Sequence, residues 1–337
     1  MAVARLVGPR DTPSSDHRVV IEFDPSSVIG LERARKILSR YPAVVVQHEF
    51  GIYGPNDGET VVDLVRGLDT RVMTVLHTVP FRPGPNQRRI LEELAKHSDL
   101  ISVPSHSARL ALEDLYGIDA SSVAVLPHGS AWTPADPRSG IRRRLLTWGL
   151  LGPGKGIERA LAAIAPLGLL SPPPRYRIVG QIHPNILRRQ GPAYRNSLAR
   201  LAEELSVSEM VRFDDSYQSE DSLYRTVTEA DVIVIPYDND EQVCSGVLTE
   251  AITAGRPVVA TNFPHARELL GSGAGLIVDH EDIEGMTAAI TQLLTDDFAY
   301  RRAVEEARSV ARRLSWSTIA RRHIEYFDRL AESVAVG

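Results

Sequence analysis

Short apolar runs recur along this chain, each separated from the next by about one helix length, and no other feature constrains the fold as tightly. The run inside Asp231–Pro236, VIVI, is continuous rather than alternating, the pattern of a strand buried on both faces of a parallel sheet. Pro257–Ala260 (PVVA) repeats it. Between them, Tyr237–Val243 is polar and acidic and reads as a loop. Cys244–Ala254 reads as a helix, with Val247, Leu248, Ala251 and Ile252 on one face and Gly255 as its stop. Residues 231–261 therefore form one βαβ unit with an exposed loop.

The alternation extends in both directions. In the first half, strand patterns fall at Arg18–Phe23, Ala43–Gln47, Arg71–Leu76, Leu100–Val103 and Val123–Leu126. Helical patterns lie between them at roughly 28–40, 58–68, 86–97 and 105–116, and Ser105 is placed to cap the last. In the second half, strands are expected at Arg144–Gly149, Tyr176–Gly180, Val211–Asp214, Ile233–Pro236, Pro257–Ala260 and Gly275–Val278. Helices are expected at roughly 155–166, 193–206, 220–229, 245–254, 264–270 and 283–295. Ser171–Pro174 (SPPP) reads as a stiff turn, and the tail Phe298–Leu330 as two helices broken near Leu314–Ser315.

A length of 337 residues suits two domains, each with a full core. Pro127–Gly140 is rich in Pro, Gly and Ser and marks the boundary. The expected organisation is an α/β chain of two Rossmann-like, doubly wound domains facing a cleft, at 1–130 and 141–315. Residues 316–337 form a C-terminal helix that returns to the first domain. The opening MAVARLVGPRDTPSSDHR offers no convincing strand.

Composition excludes several classes. A formal net charge of −5 argues against a general nucleic-acid binder. The single cysteine, Cys244, rules out an internal disulfide framework and suits a reducing compartment. No Cys/His cluster has zinc spacing, so neither a metal nor a bound cofactor is expected. The start lacks a signal-peptide core and no run of eighteen apolar residues occurs, so the chain is expected to be cytoplasmic, with peripheral membrane contact left open.

The chemistry should lie beyond the carboxyl ends of the strands. The helix after VIVI opens on Ser245-Gly246, where free N–H groups and the helix dipole favour an anion, and Glu250 follows just over one turn later. A carboxylate behind an anion-binding helix start suits a ligand with both phosphate and hydroxyls; a capping Ser and a solvated Glu would look the same. His48, His77, His106, His128 and His183 each stand at or just after a strand end, where they can bind hydroxyls or phosphates, move protons, or merely bond backbone. Gly149-Leu-Leu-Gly-Pro-Gly-Lys155-Gly156 follows a strand and opens a helix; its glycines admit an anion and Lys155 adds charge. It is neither a dinucleotide fingerprint nor a P-loop. The basic runs at Arg142–Arg144 and 301–313 read as solvated faces, and Trp148 and Trp316 as packing residues.

Six pieces taken together, QHEFGIYG (47–54), TVLHTV (74–79), VLPHGS (125–130), TWGLLGPGKGIERAL (147–161), VGQIHPN (179–185) and CSGVLTEAITAGRPVVAT (244–261), resemble the retaining nucleotide-sugar glycosyltransferases of the GT-B fold, of the family 4 type. The resemblance covers most of the chain from about Val44 onward. It implies transfer of a hexose from a nucleotide-diphosphate sugar to a sugar, lipid or small-molecule hydroxyl, without a metal. It implies that Lys155 holds the diphosphate, assisted by the Ser245 and Gly246 amides, that Glu250 holds the ribose, and that His77 lies beside the transferred sugar. Gly152, Gly154, Gln242 and His183 complete the implied donor side, and His48, Glu49 and His128 the acceptor side.

Three departures stand out. The first Glu of the family's Glu-seven-residues-Glu motif falls at Gln242, with Glu241 one residue early. Leu150 stands where many relatives carry a diphosphate-binding Arg. QHEFGI arrives by residue 47, which implies an N-terminal domain short by roughly one βαβ unit. These departures keep open a second reading, a catalytically weak glycosyltransferase-like binding or scaffold partner. A sugar-epimerising or phosphorolytic enzyme on the same fold is the third.

Overall fold

The computed structural model describes residues 2–8, 11–137 and 140–332. Pro9 and Arg10 of the opening stretch, Arg138 and Ser139 of the expected linker, and the last five residues lie outside the described set. Two compact units emerge, Met1–Pro127 with Ala320–Gly337, and His128–Ile319.

The first unit runs β1 (Val3–Leu6), β2 (Val19–Phe23), α1 (Val28–Leu38), β3 (Ala43–His48), α2 (Thr60–Arg66), β4 (Arg71–Leu76), α3 (Pro85–His97), β5 (Leu100–Val103), α4 (His106–Tyr116) and β6 (Val123–Val125). β3-β4-β5-β6 form a parallel sheet in sequential order, and β1 and β2 a separate parallel pair. β1 corrects the expectation for the opening residues: VARL is too short, and its Arg too polar, to register as a run, yet it pairs with β2 from Val3 to Leu6. Ser105 caps α4 as anticipated, its Oγ accepting the Ala108 N–H at 3.1 Å.

The second unit runs β7 (Arg144–Trp148), α5 (Ile157–Ile164), β8 (Arg175–Val179), α6 (Pro184–Gln190), α7 (Ala193–Glu204), β9 (Val211–Asp214), α8 (Glu220–Glu229), β10 (Val232–Ile235), α9 (Gly246–Thr253), β11 (Val258–Thr261), α10 (Pro264–Leu270), β12 (Gly275–Val278), α11 (Ile283–Thr295) and α12 (Asp297–Ala311). α13 (Trp316–Glu332) begins here. From Ala320 onward it belongs to the first unit, where Arg322 donates to Val125 O at 2.8 Å and Tyr326 packs beside Met73 and Leu126. α6 escaped the sequence reading because Pro184 follows a histidine loop and its residues carry no apolar period.

All six strands of the second unit are parallel, in the order β12-β11-β10-β7-β8-β9. Both faces of the sheet are covered. Leu145, Ile178 and Val234 look toward α5, α7 and α11, and Leu146, Val179 and Ile235 toward α8 and α9. That explains VIVI: all four β10 side chains are fully buried, so the run cannot alternate. Chain order reverses between β7 and β10, the topological switch point at which such sheets leave a crevice for ligands. Among the described residues, no helix is long and apolar enough to cross a membrane.

Candidate functional site

The loops after β7, β8 and β10 meet at the switch point through their backbones. Leu151 donates to Gln181 O at 2.8 Å, His183 to Leu151 O at 2.8 Å, and Asp238 to Gly154 O at 3.0 Å. At two positions this approach leaves room only for glycine. A Cβ on Gly156 (φ +64°) would lie 1.6 Å from Pro236 O, and one on Gly180 (φ +142°) 1.9 Å from Gly149 O. Because Gly156 is left-handed, α5 starts at Ile157 rather than at 155.

The start of α9 shares this crevice. Val247 Cγ2 lies 3.6 Å from where a Gly149 Cβ would stand. Ser245 is the N-cap, its Oγ accepting Leu248 N–H at 3.2 Å. Its own N–H donates to His265 Nδ1 at 2.9 Å, which corrects the expectation that the Ser245 amide serves an anion. The Gly246 and Val247 amides have no partner among the described residues and point out of the helix start. His265 is wholly buried, and burial, aided by nearby His128, pushes its pKa down to about 4. The ring is neutral with Nδ1 as acceptor, so the proton sits on Nε2.

Lys155 extends over Tyr237, its Nζ 4.3 Å from the ring centroid, and Tyr237 stacks on Phe263 at 5.5 Å. Burial lowers the Lys155 pKa from its ordinary value. Glu250 reaches the same crevice from the second turn of α9, where Trp148 Nε1 donates to its Oε2 at 3.2 Å. Oε1 has no partner among the described residues, and burial pushes the Glu250 pKa up. The Gln242 side-chain amide turns inward instead, donating to Cys244 O, while its backbone carbonyl accepts the His265 backbone N–H at 3.1 Å. It braces the loop before α9. Leu150 is half exposed at the head of the β7–α5 loop.

The second unit thus gathers Gly152, Gly154, Lys155, His183, Gln242, Ser245, Gly246 and Glu250. His128, expected on the acceptor side within 1–130, belongs to this unit too, packing edge-on to Trp316 at 5.9 Å. The first unit holds His48, Glu49 and His77. His77 Nε2 pairs with Gln47 Oε1 at 2.7 Å, and Glu49 Oε2 accepts from Thr78 Oγ1 at 2.7 Å. His48 is fully buried beside Phe50, its two ring nitrogens have no partner among the described residues, and burial lowers its pKa to about 4. A ring closed off in this way cannot meet a substrate unless the loop around it moves.

Sequence reading passed over Tyr237 and His265 and gave Trp148 only a packing role. Tyr237 and Trp148 stand at the carboxyl ends of β10 and β7, where the strand-end rule applied only to histidines would not find them. His265 carries no local signal, since its importance comes from a bond to Ser245, twenty residues away.

The two depressed histidines set a pH dependence. In the folded chain His48 and His265 refuse a proton down to about pH 4, whereas unfolded histidines take one near 6.5. Their contribution is fully present above pH 6.5 and is lost as the pH falls toward 4, on the order of 3 kcal/mol for each. Urea unfolding at pH 7.5 and 5 should show this loss. His265→Asn, whose Oδ1 can still accept the Ser245 N–H, should flatten the slope by about one proton; an unchanged slope would remove His265 from the account.

Residues 136–310, just over half of the chain, match the family model described as Glycosyl transferases group 1. D-inositol 3-phosphate glycosyltransferase of Corynebacterium urealyticum is 30% identical over 73% of this chain and 60% of its own length. Phosphatidyl-myo-inositol mannosyltransferase of Mycolicibacterium smegmatis is 29% identical over 66% of this chain and 52% of its own length. The chain thus spans about 60% of the length of the curated relatives it matches. Among solved structures, sucrose-phosphate synthase from Thermosynechococcus elongatus superposes with a TM-score of 0.75 at 18% identity, covering 98% of this chain and 88% of that one. Anabaena HepE, solved with UDP-glucose, gives 0.71 at 15% identity over 95% and 86% of the two chains. The architecture is GT-B, and the chain belongs to the glycosyl transferases group 1 family.

Proposed function

We propose that the protein transfers a hexose from a nucleotide-diphosphate sugar to a hydroxyl of a sugar, lipid or small-molecule acceptor, with retention at the anomeric carbon. One observation carries the reading: at the switch point Lys155 lies over Tyr237, the Gly246 and Val247 amides have no partner among the described residues, and Glu250, one turn further along α9, keeps its Oε1 without a partner among them. That set suits a diphosphate and a ribose diol. Lys155 and the α9 start take the diphosphate, and Glu250, held by Trp148, accepts from the ribose hydroxyls. The acceptor oxygen bonds to the anomeric carbon as the bond from that carbon to the diphosphate oxygen breaks. The acceptor proton passes to the departing diphosphate on the same face, so no protein nucleophile and no metal is required. Charge grows on the diphosphate in the transition state, and the half-buried Lys155 acts there in a poorly solvated setting where it is most effective.

The relatives' names make D-inositol 3-phosphate and phosphatidyl-myo-inositol acceptors to test, and the HepE complex makes UDP-glucose a donor to test, with GDP-mannose beside it. A donor panel scored for nucleotide release and sugar transfer tests the reading. Turnover with one donor supports it, and no transfer or hydrolysis with any nucleotide sugar overturns it. His77 is assigned to the transferred hexose. His77→Ala should lower transfer by roughly 100-fold and leave nucleotide affinity unchanged. Undiminished transfer would take His77 out of the reaction.

A further inference from the structure

At the opposite, amino-terminal ends of the same strands lies a cavity of about 600 Å3 with a different character. The parallel register sets Arg144 of β7 against Arg175 of β8, and Arg177 of β8 against Arg212 of β9. Ladder partners, and residues two apart on one strand, share a face, so all four arginines project from one face across three adjacent strands. Leu146 and Val179 show that this is the face packed against α8, and the carboxyl end of α8 closes one side of the cavity.

The charges there are poorly compensated. Arg177 pairs with Asp214 at 2.5 Å, but its Nε is buried without a partner among the described residues. The guanidinium groups of Arg144, Arg175 and Arg212 make no hydrogen bond or ion pair among the described residues. Glu209 and Glu229 are the acidic side chains of the lining, so with Asp214 three carboxylates stand against four guanidiniums. Like charges on neighbouring strands repel, so the arrangement costs stability when empty and regains it when an anion bridges it.

We propose that this cavity binds a small soluble organic phosphate. Guanidinium forks take the phosphate oxygens, and Glu209 and Glu229 are placed to accept from hydroxyls on the same molecule. The site is separate from the donor crevice, since the strands between the two, at about 3.3 Å per residue, span roughly 15 Å.

The test uses the full chain carrying Lys155→Ala, so that the crevice at the other end of the strands does not compete for the probe. Inorganic pyrophosphate and glucose 6-phosphate, each titrated calorimetrically, should bind this protein. Adding Arg175→Gln and Arg212→Gln, both on exposed side chains, should weaken binding by roughly tenfold or more. Adding Arg188→Gln and Arg189→Gln on α6 instead should leave it unchanged. In phosphate-free buffer the Arg175→Gln/Arg212→Gln protein should melt no lower than its parent, because repulsion is relieved. No binding of either probe, undiminished binding after the Arg175/Arg212 changes, or equal loss in the Arg188/Arg189 control would each overturn the proposal. With Lys155 intact, nucleoside diphosphate binding should be indifferent to the Arg175/Arg212 changes, which keeps this result separable from that of the donor crevice.

Discussion

A saturating nucleoside diphosphate should raise the melting temperature of the wild-type chain by roughly 5–10 °C, and Lys155→Ala should remove most of that rise. The size follows from linkage: at about a hundred times Kd, ligand adds on the order of 2.7 kcal/mol. For a unit of this size each kcal/mol moves the melting point by about 2–4 °C. Lys155 offers the diphosphate a charge-assisted bond in a half-buried setting over Tyr237. Its loss is expected to weaken binding by roughly 100-fold, which leaves about 0.4 kcal/mol of that stabilisation at the same ligand concentration. Without ligand, Lys155→Ala should cost no more than about 1 kcal/mol, the scale of its contact with Tyr237. Leu150→Arg should act the other way, tightening diphosphate binding by adding a cation at the half-exposed head of the β7–α5 loop. A full shift in Lys155→Ala would place the diphosphate elsewhere, and no shift with any of UDP, GDP or ADP would remove the donor crevice altogether.

The sheets were legible because burial on both faces writes itself into continuous runs such as VIVI, and such runs need no partner to be recognised. The switch point followed, since a strand-loop-helix succession places Lys155, Ser245 and Glu250 beyond strand ends whatever the tertiary detail. What could not be read was who bonds to whom across loops. The Ser245 amide looks free in sequence and is taken by His265; Glu250 looks solvated and is held by Trp148. His48 sits in a motif that resembles an acceptor site, yet β3 turns its ring into the core. Each of these depends on long-range packing that no local period encodes. The four arginines of β7, β8 and β9 show the same limit, because only the register brings Arg144 to Arg175 and Arg177 to Arg212.

Gly156→Ala should be far more damaging to the donor crevice than Gly154→Ala, two residues away, which should be mild. Both glycines have positive φ, +64° and +89°, so both substitutions carry the left-handed cost of about 1–2 kcal/mol. They differ in surroundings. At Gly154 an added Cβ meets nothing within 4 Å, whereas at Gly156 it would stand 1.6 Å from Pro236 O and 2.8 Å from Asp238 Oδ1. The clash is with backbone, which no side-chain rotation relieves, so the β7–α5 and β10–α9 loops must separate. Separation breaks the Asp238 N–H to Gly154 O bond and frees Arg159 from Asp238. It also moves Lys155 away from Tyr237 and the α9 start. Gly156→Ala should therefore lose more than about 3 kcal/mol, a fall in melting temperature of roughly 10 °C, and most of the nucleotide-induced shift. Gly154→Ala should fall by only a few degrees and keep that shift. Equal losses in the two variants would mean that backbone conformation alone sets the cost, and that close contact between the two loops is not what holds the crevice together.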